Sequence, residues 1–292
     1  MITATKKHAL GKWILYGVLI VFAIVMILPF YWTLLTSLRH NEDMFSIPIK
    51  WFSTDFTFEH YVTAFTTVPF GRYFVNSAYL ATMGVLTNLF FGALAGYAFA
   101  KLKFRGREVI FRVLLALLMV PGIVIMIPQF LLLKQFPLVG GNNILGQGGK
   151  GFLNSYWAII LPYAVGTFAV FLMRQFFLTL PDDLAESARI EGAGEFRIFW
   201  NIYLPLTKPA LAVLAIFTFQ AGWNNFMWPM IILSDPNKFT VQLGLQAFSY
   251  NHATEYGPMM AASVVATLPM IVLFIFAQKY FVQGISFSGI KG

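Results

Sequence analysis

The chain is 292 residues long, 58% hydrophobic, 17% aromatic and 11% charged. Soluble domains carry about 25% charged residues, so an ordinary soluble domain is excluded and an integral membrane protein is indicated. Cysteine is absent, which excludes a disulfide framework, a thiolate zinc site and a cysteine nucleophile. The formal net charge of +8 raises the question of an acidic partner, and its distribution along the chain answers it.

A helix that crosses a bilayer needs about 20 apolar residues. Trp13–Ser37, Tyr73–Ala100, Val109–Leu133, Ser155–Leu178, Ala210–Leu233 and Pro258–Phe281 meet that length, which predicts an all-α membrane protein of six transmembrane helices. Lys6, Lys7 and Lys12 precede the first stretch as in a signal peptide, but the apolar run is too long and no small-residue cleavage site follows, so it reads as a retained span. Prolines 29, 121, 128, 162, 229 and 269 fall inside these stretches, as membrane helices tolerate when neighbours satisfy the freed carbonyls. Gly92-x-x-x-Gly96 in the second stretch allows close helix approach, read as packing within the bundle. No polar linker or low-complexity segment divides residues 1–292, which read as a single domain.

Orientation follows the basic residues. Of the 20 Lys and Arg, all except Arg39, Lys50, Arg72, Lys134, Lys150 and Lys238 lie on the side of the N-terminus, and the 12 acids divide evenly. The whole net charge therefore sits on one face, the cytoplasmic one, which puts both termini inside and removes the case for nucleic acid. Three outer loops remain. Residues 39–72 are rich in aromatics (Trp51, Phe52, Phe56, Phe58, Tyr61). Residues 134–154 contain a glycine-rich run read as flexible. Residues 234–257 carry Asp235, His252 and Glu255. The run before Lys150 is not a phosphate loop, because Ile144 stands at the first glycine position and Gly151 follows the lysine.

The longest charge-rich run is cytoplasmic, Thr179 to Pro209. Thr179 and Asp182 fit a capping box for a first helix with Pro181 in its opening turn. Leu184, Ala185 and Ala188 then share a face, and Gly192 and Gly194 end the helix. Phe196, Phe199, Trp200 and Tyr203 recur with the period of a second amphipathic helix, closed by Pro205 and Pro209. Two short helices outside the membrane read as a docking element.

No nucleophile–base pair or metal-ligand spacing occurs, and His8, His40, His60 and His252 all lie outside the spans. The chain is read as non-enzymatic. Arg174, near the inner end of the fourth span, is expected to snorkel. A proton- or sodium-driven carrier usually keeps ionisable groups mid-membrane, and none is evident. The spans instead carry amides, among them Asn88, Gln220, Asn224 and Asn225, suited to exchanging hydrogen bonds with a neutral polyol or to bonding between helices. Trp223 and Trp228 are placed in an interfacial aromatic belt.

The run Glu186-Ser187-Ala188, three residues, Gly192, nine residues, Ile202-Tyr203-Leu204-Pro205 resembles the EAA loop of permease subunits of bacterial ABC importers, departing from it at Ser187 alone. The flanking segments and the C-terminal Q-K-Y-F-V-Q-G-I-S-F-S-G-I-K-G are similar to the carbohydrate subfamily. The run Gly140–Gly151 is longer than is usual there. The resemblance implies a multi-pass subunit of the bacterial inner membrane, a permease domain over 1–292 with a coupling loop at 179–209 and a cytoplasmic tail at 282–292. It implies docking of Glu186, Ser187, Ala188 and Gly192 on a cytoplasmic ATPase, with Ile202, Leu204 and Pro205 bracing the second helix. The implied partners are a second permease subunit, two ATPase subunits holding Mg-ATP, an extracytoplasmic solute-binding protein and membrane lipid. No cofactor belongs to this chain. An oligosaccharide is the expected cargo, with glycerol phosphate or a stand-alone carrier as alternatives. The absence of cysteine permits a direct topology test: single cysteines at Lys103, Arg197 and Lys150 should differ, an impermeant thiol reagent labelling only position 150 in intact cells.

Overall fold

The computed structural model describes residues 2–44, 46–52, 55–249 and 255–287, with side chains between 11 and 278. Every regular element among them is helical. Apart from the single turns Asn41–Met44 and Pro236–Lys238, in chain order these are α1 (Ile2–Ser37), α2 (Glu59–Thr67), α3 (Phe70–Lys101), α4 (Arg107–Leu117), α5 (Gly122–Lys134), α6 (Trp157–Leu178), α7 (Asp183–Ile190), α8 (Glu195–Leu206), α9 (Lys208–Trp223), α10 (Met227–Ile232), α11 (Val241–Ala247) and α12 (Tyr256–Phe287). Four are long and apolar enough to cross a membrane, or up to six elements if each of two bent pairs counts as one. The expected tail residues 288–292, and His252 in the last outer loop, lie outside the described residues. Two compact units result: Met1–Phe70 with Leu245–Leu268, and Gly71–Gly244 with Pro269–Gly292.

In the first unit, residues 11–30 of α1 are exposed on every side, as on a helix whose solvent is hydrocarbon. Beyond its end the chain folds around Arg39, which is 1% exposed. The Arg39 guanidinium lies 5.5 Å from the Trp32 ring centre and donates to the Lys50 carbonyl. The Tyr31 hydroxyl donates to the Trp51 carbonyl at 2.6 Å, and Tyr61 meets Ser37 at 2.9 Å. Loop aromatics thus pack onto the helix that precedes them.

The second unit is built on α3 and α6. A Cβ at Gly92 would stand 2.6 Å from Ala169 Cβ, and one at Gly96 2.6 Å from Met173 Cβ. The small-residue pair is the contact surface between two helices of one chain, as the spacing implies. A π turn, Asn88–Gly92, interrupts α3 just above.

Two expected spans are not straight. Over 109–133 the chain bends by 106° between α4 and α5. Pro121 occupies the N-cap of α5 at φ −58° and ψ 129°, since its ring excludes a preceding helical turn. Over 210–233, α9 stops at Trp223 and residues 224–226 intervene before α10. Trp223 and Trp228 are each 1% exposed, core rather than belt residues. The Trp228 indole donates to the Ala158 carbonyl at 3.0 Å, and Trp223 stacks on Phe219 at 5.8 Å. Burying these rings fixes the break.

Arg174 does not snorkel. Its Nη2 donates to both Glu108 carboxylate oxygens at 3.0 and 3.2 Å, its Nε donates to the Phe99 carbonyl at 3.1 Å, and its guanidinium covers the Phe111 ring at 3.9 Å. The ion pair holds α4 against α6. The glycine-rich loop of residues 134–154, expected to be flexible, is tied together by side-chain hydrogen bonds. Asn142 Nδ2 donates to the Lys134 and Phe136 carbonyls at 2.8 and 2.9 Å, and its Oδ1 accepts from Gly149 N at 2.8 Å. Gly151 adopts φ +57° where a Cβ would meet the Leu133 carbonyl.

The α3–α6 contact yields a paired test. Gly96→Val places carbon against the Arg174 amide nitrogen, 2.9 Å from the Cβ position, and should cost about 1–3 kcal/mol by overpacking. Gly84→Ala meets only Thr218 Cγ2 at 3.9 Å and should be near neutral. Thermal unfolding of the detergent-solubilised protein reads the difference.

Candidate functional site

Helix α6 ends at Thr179, whose Oγ1 donates back to the Phe176 carbonyl at 2.7 Å. The capping box expected from Thr179 and Asp182 is therefore not formed. Asp182 stands at the N-cap of α7 without a side-chain cap bond, because its carboxylate is engaged elsewhere. Lys101, the last residue of α3, donates to Asp182 Oδ1 at 2.5 Å and to the Leu180 carbonyl at 2.7 Å. The Lys101 ammonium holds the Asp182 carboxyl below the usual carboxylate range. This link persists at neutral pH and is lost only as pH falls through that lowered value.

On α7 the inward face is alanine. Ala185 is 2% and Ala188 9% exposed, whereas Leu184, expected beside them, is 38% exposed. Small side chains let α7 lie close on α6 and α8, and a leucine would hold it off. Glu186, Ser187 and Ile190 face outward. The helix closes as a Schellman motif: Ala193 N donates to the Ala188 carbonyl at 2.9 Å and Gly192 N to the Arg189 carbonyl at 3.0 Å. Gly192 takes φ +83° with open space around it, so the backbone, not crowding, requires glycine there.

The four aromatics expected on one face of α8 divide. Phe199 and Tyr203 are buried, while Phe196 and Trp200 stack on each other at 6.2 Å and remain exposed. Tyr97 and Phe177 cover one edge of the stripe and leave the other open. The Tyr97 ring lies 5.7, 5.3 and 5.5 Å from Phe177, Phe199 and Tyr203. Its hydroxyl donates to Glu195 Oε2 at 2.9 Å, and Arg189 Nε donates to Glu195 Oε1 at 2.7 Å. Tyr203 OH donates to the Pro181 carbonyl at 2.9 Å. One carboxylate thus ties α7 to α8 and both to α3. Ile202 and Leu204 pack against this cluster, Pro205 is exposed, and α8 then meets α9 at 81°. The arrangement is mechanical: a small rigid platform on the end of three long helices.

The amides occupy different settings. Asn88 spends its hydrogen-bonding capacity on the fold, donating to the Gly84 and Tyr163 carbonyls at 3.0 and 2.7 Å and accepting from Gly166 N at 2.9 Å. Asn88 and Asn225 border a cavity of about 660 Å³ between α3, α6 and α9, together with Tyr163, Phe168 and Phe217. Gln220 and Asn224 do not line it; both are exposed, and Asn224 accepts from Gln242 at 3.4 Å.

Residues 88–287 match the family described as binding-protein-dependent transport system inner membrane component. The chain belongs to this family. It is 33% identical to the arabinooligosaccharides transport system permease protein AraQ of Halalkalibacterium halodurans over 98% of this chain and 99% of that one. It is 30% identical to the diacetylchitobiose uptake system permease protein NgcG of Streptomyces coelicolor, over 93% and 86%. A crystal structure of a bacterial ABC transporter that imports the acidic polysaccharide alginate superposes with a TM-score of 0.78 at 25% identity, over 92% of this chain and 95% of that chain. The protein is a multi-pass permease subunit of an ABC importer.

Three residues that hold the platform of this permease, Tyr97, Lys101 and Glu195, were not singled out by sequence reasoning. Their one available signal was position: Tyr97 follows Gly96 directly, and Lys101 is the first charge after the second span. Removing the Tyr97 hydroxyl should cost about 1 kcal/mol, one net hydrogen bond. Tyr97→Ala should cost about 3–5 kcal/mol, in the range of buried aromatic truncation. Equal effects of Tyr97→Phe and Tyr97→Ala on the thermal midpoint would contradict the packing role of the ring.

Proposed function

We propose that the chain spans the inner membrane six times as one permease domain, with both termini and residues 179–209 in the cytoplasm. It forms half of an oligosaccharide pathway beside a second permease subunit. Two cytoplasmic ATPase subunits bind Mg-ATP and hydrolyse it, and an extracytoplasmic binding protein delivers the cargo. This chain contributes no catalytic group and no cofactor.

The observation that carries the reading is the exposed face of α7 on a rigid base. Glu186, Ser187 and Ile190 project outward, Ile190 at 88% exposure, while Ala185 and Ala188 seat the helix from beneath. An exposed isoleucine beside an exposed carboxylate suits a partner groove that is apolar with a cation at its rim. Phe196 and Trp200 extend that apolar surface. In this reading Glu186 and Ser187 make the contact. Ala188 and Gly192 set the helix height and its exit, and Ile202, Leu204 and Pro205 brace the second helix. Movement of an attached ATPase passes through Glu195 and Lys101 into α3 and through the α8–α9 bend into α9, a rigid-body transfer between packed helices.

The oligosaccharide cargo rests on the sugars for which the relatives are named and on the chemistry of the cavity. Its lining side chains carry no formal charge, whereas a phosphate ester such as glycerol phosphate calls for cationic partners. A stand-alone carrier leaves the exposed α7 face without a use.

Glu186→Lys tests the docking role. The variant should insert in the membrane at the native level, lose uptake by at least tenfold, and no longer co-purify the ATPase. Native uptake with the variant would sink the reading.

A further inference from the structure

The fifth apolar stretch breaks at residues 224–226, between α9 and α10. From residue 209 to residue 225 the exposed positions are Phe217, Gln220, Ala221 and Asn224. Their spacing of i, i+3, i+4 and i+7 makes them one stripe of the helix. Gly222 lies on the opposite side, where a Cβ would stand 3.2 Å from Ala81 Cα on α3. The stripe therefore faces away from the helix on which α9 packs.

Two of its four side chains are amides. Residues 13–30 of α1, and the exposed residues of α12 between 271 and 276, carry neither an amide nor a charge. That is the composition of a face in hydrocarbon. Measured along α9 from Lys208 at 1.5 Å per residue, Gln220 stands at about 18 Å and Asn224 at about 24 Å, within a core about 30 Å thick. Hydrocarbon neither donates to an amide nor accepts from it, so an amide left unpaired there is costly. The Gln220 side chain makes no hydrogen bond among the described residues. Asn224 Oδ1 accepts from Gln242 Nε2 at 3.4 Å, which leaves Asn224 Nδ2 free to donate. The backbone of residues 224–226 is not helical, and such backbone is tolerated at membrane depth only beside protein or a water-filled cavity. Lipid does not satisfy this stripe; water and a polar solute do. An amide donates and accepts, as a sugar hydroxyl does. After Lys208, α9 carries no charged residue, and Phe217 adds an apolar surface at the inner end of the stripe for the C–H groups of a sugar ring.

We propose that the outward stripe of α9 is this subunit's wall of the cargo pathway, with Gln220 and Asn224 bonding sugar hydroxyls during passage and Gln242 orienting Asn224. The assignment rests on the oligosaccharide reading above and deepens it by naming the residues that meet the cargo.

The experiment uses the complete transporter. Uptake of arabinotriose, diacetylchitobiose, lactose and maltose by cells with the native complex is measured first. If none is transported, the oligosaccharide reading fails and takes this assignment with it. With a transported sugar in hand, Gln220→Cys, Asn224→Cys and Phe274→Cys are made singly in the cysteine-free chain, and each complex is placed in lipid nanodiscs with both faces open. Phe274 is 60% exposed on α12 and serves as the lipid-facing control. The trimethylammonium reagent MTSET, read as a mass shift of this chain, should label positions 220 and 224 roughly tenfold or more faster than position 274, because the reactive thiolate forms in water. Saturating transported sugar should slow labelling at 220 and 224 at least fivefold. Labelling at 220 and 224 as slow as at 274 overturns the assignment and places the stripe against the second permease subunit or lipid. Fast labelling that the sugar leaves unchanged overturns it as well. In cells, Gln220→Leu and Asn224→Leu should each lower the maximal uptake rate about tenfold, the effect of one lost hydrogen bond, with a native membrane level and native co-purified ATPase. Native uptake in both leucine variants also overturns the assignment.

Discussion

The backbones of α3 and α6 approach until side-chain carbons of one fill the space where the other has none. Gly92 against Ala169 and Gly96 against Met173 leave no room for a Cβ. In a bilayer, where hydrocarbon solvates leucine as well as a protein core does, such close packing is a main source of helix association. The rest of the second unit takes its position from this seam. Tyr97 and Lys101 continue α3 beneath the two-helix platform, and Asn88 precedes the seam at the wall of the cavity.

Three ion pairs in the second unit fasten one helix to another. Arg174 joins Glu108, Lys101 joins Asp182, and Arg189 joins Glu195. The Lys101 side chain is only 6% exposed while Asp182 is 75% exposed. The lysine stem lies along Tyr203, 5.2 Å from ammonium to ring centre, and the charge reaches the surface through its partner. A surface ion pair in water contributes little. Here the lysine head also bonds the Leu180 carbonyl, so the geometry is held by packing and the charges select it.

The platform and the cavity share helices. From Asn88 to Lys101 α3 rises about 20 Å at 1.5 Å per residue, and α9 leaves the platform at the 81° bend and borders the cavity with Phe217 and Thr218. The π turn at Asn88–Gly92 sits between the two ends of α3, and such turns are local irregularities that favour functional positions. A displacement of α7 and α8 therefore has short, stiff routes to the residues that border the cavity.

The sequence by itself determined the solvent of this protein, the approximate number of its apolar stretches and the place of its two short polar helices, α7 and α8. These follow from runs of hydrophobic residues, loop charge and an EAA-like spacing, all local along the chain. The Gly92/Gly96 seam was also legible, because small-residue spacing implies close approach without naming the partner. Tertiary structure alone decided that Thr179 closes α6 instead of capping α7, since Asp182 was drawn away by a lysine 81 residues earlier. It alone bent the third stretch, interrupted the fifth at residues 224–226, buried both tryptophans and tied the glycine loop together through Asn142. Each of these depends on which distant group arrives beside a residue, and periodicity carries no record of that.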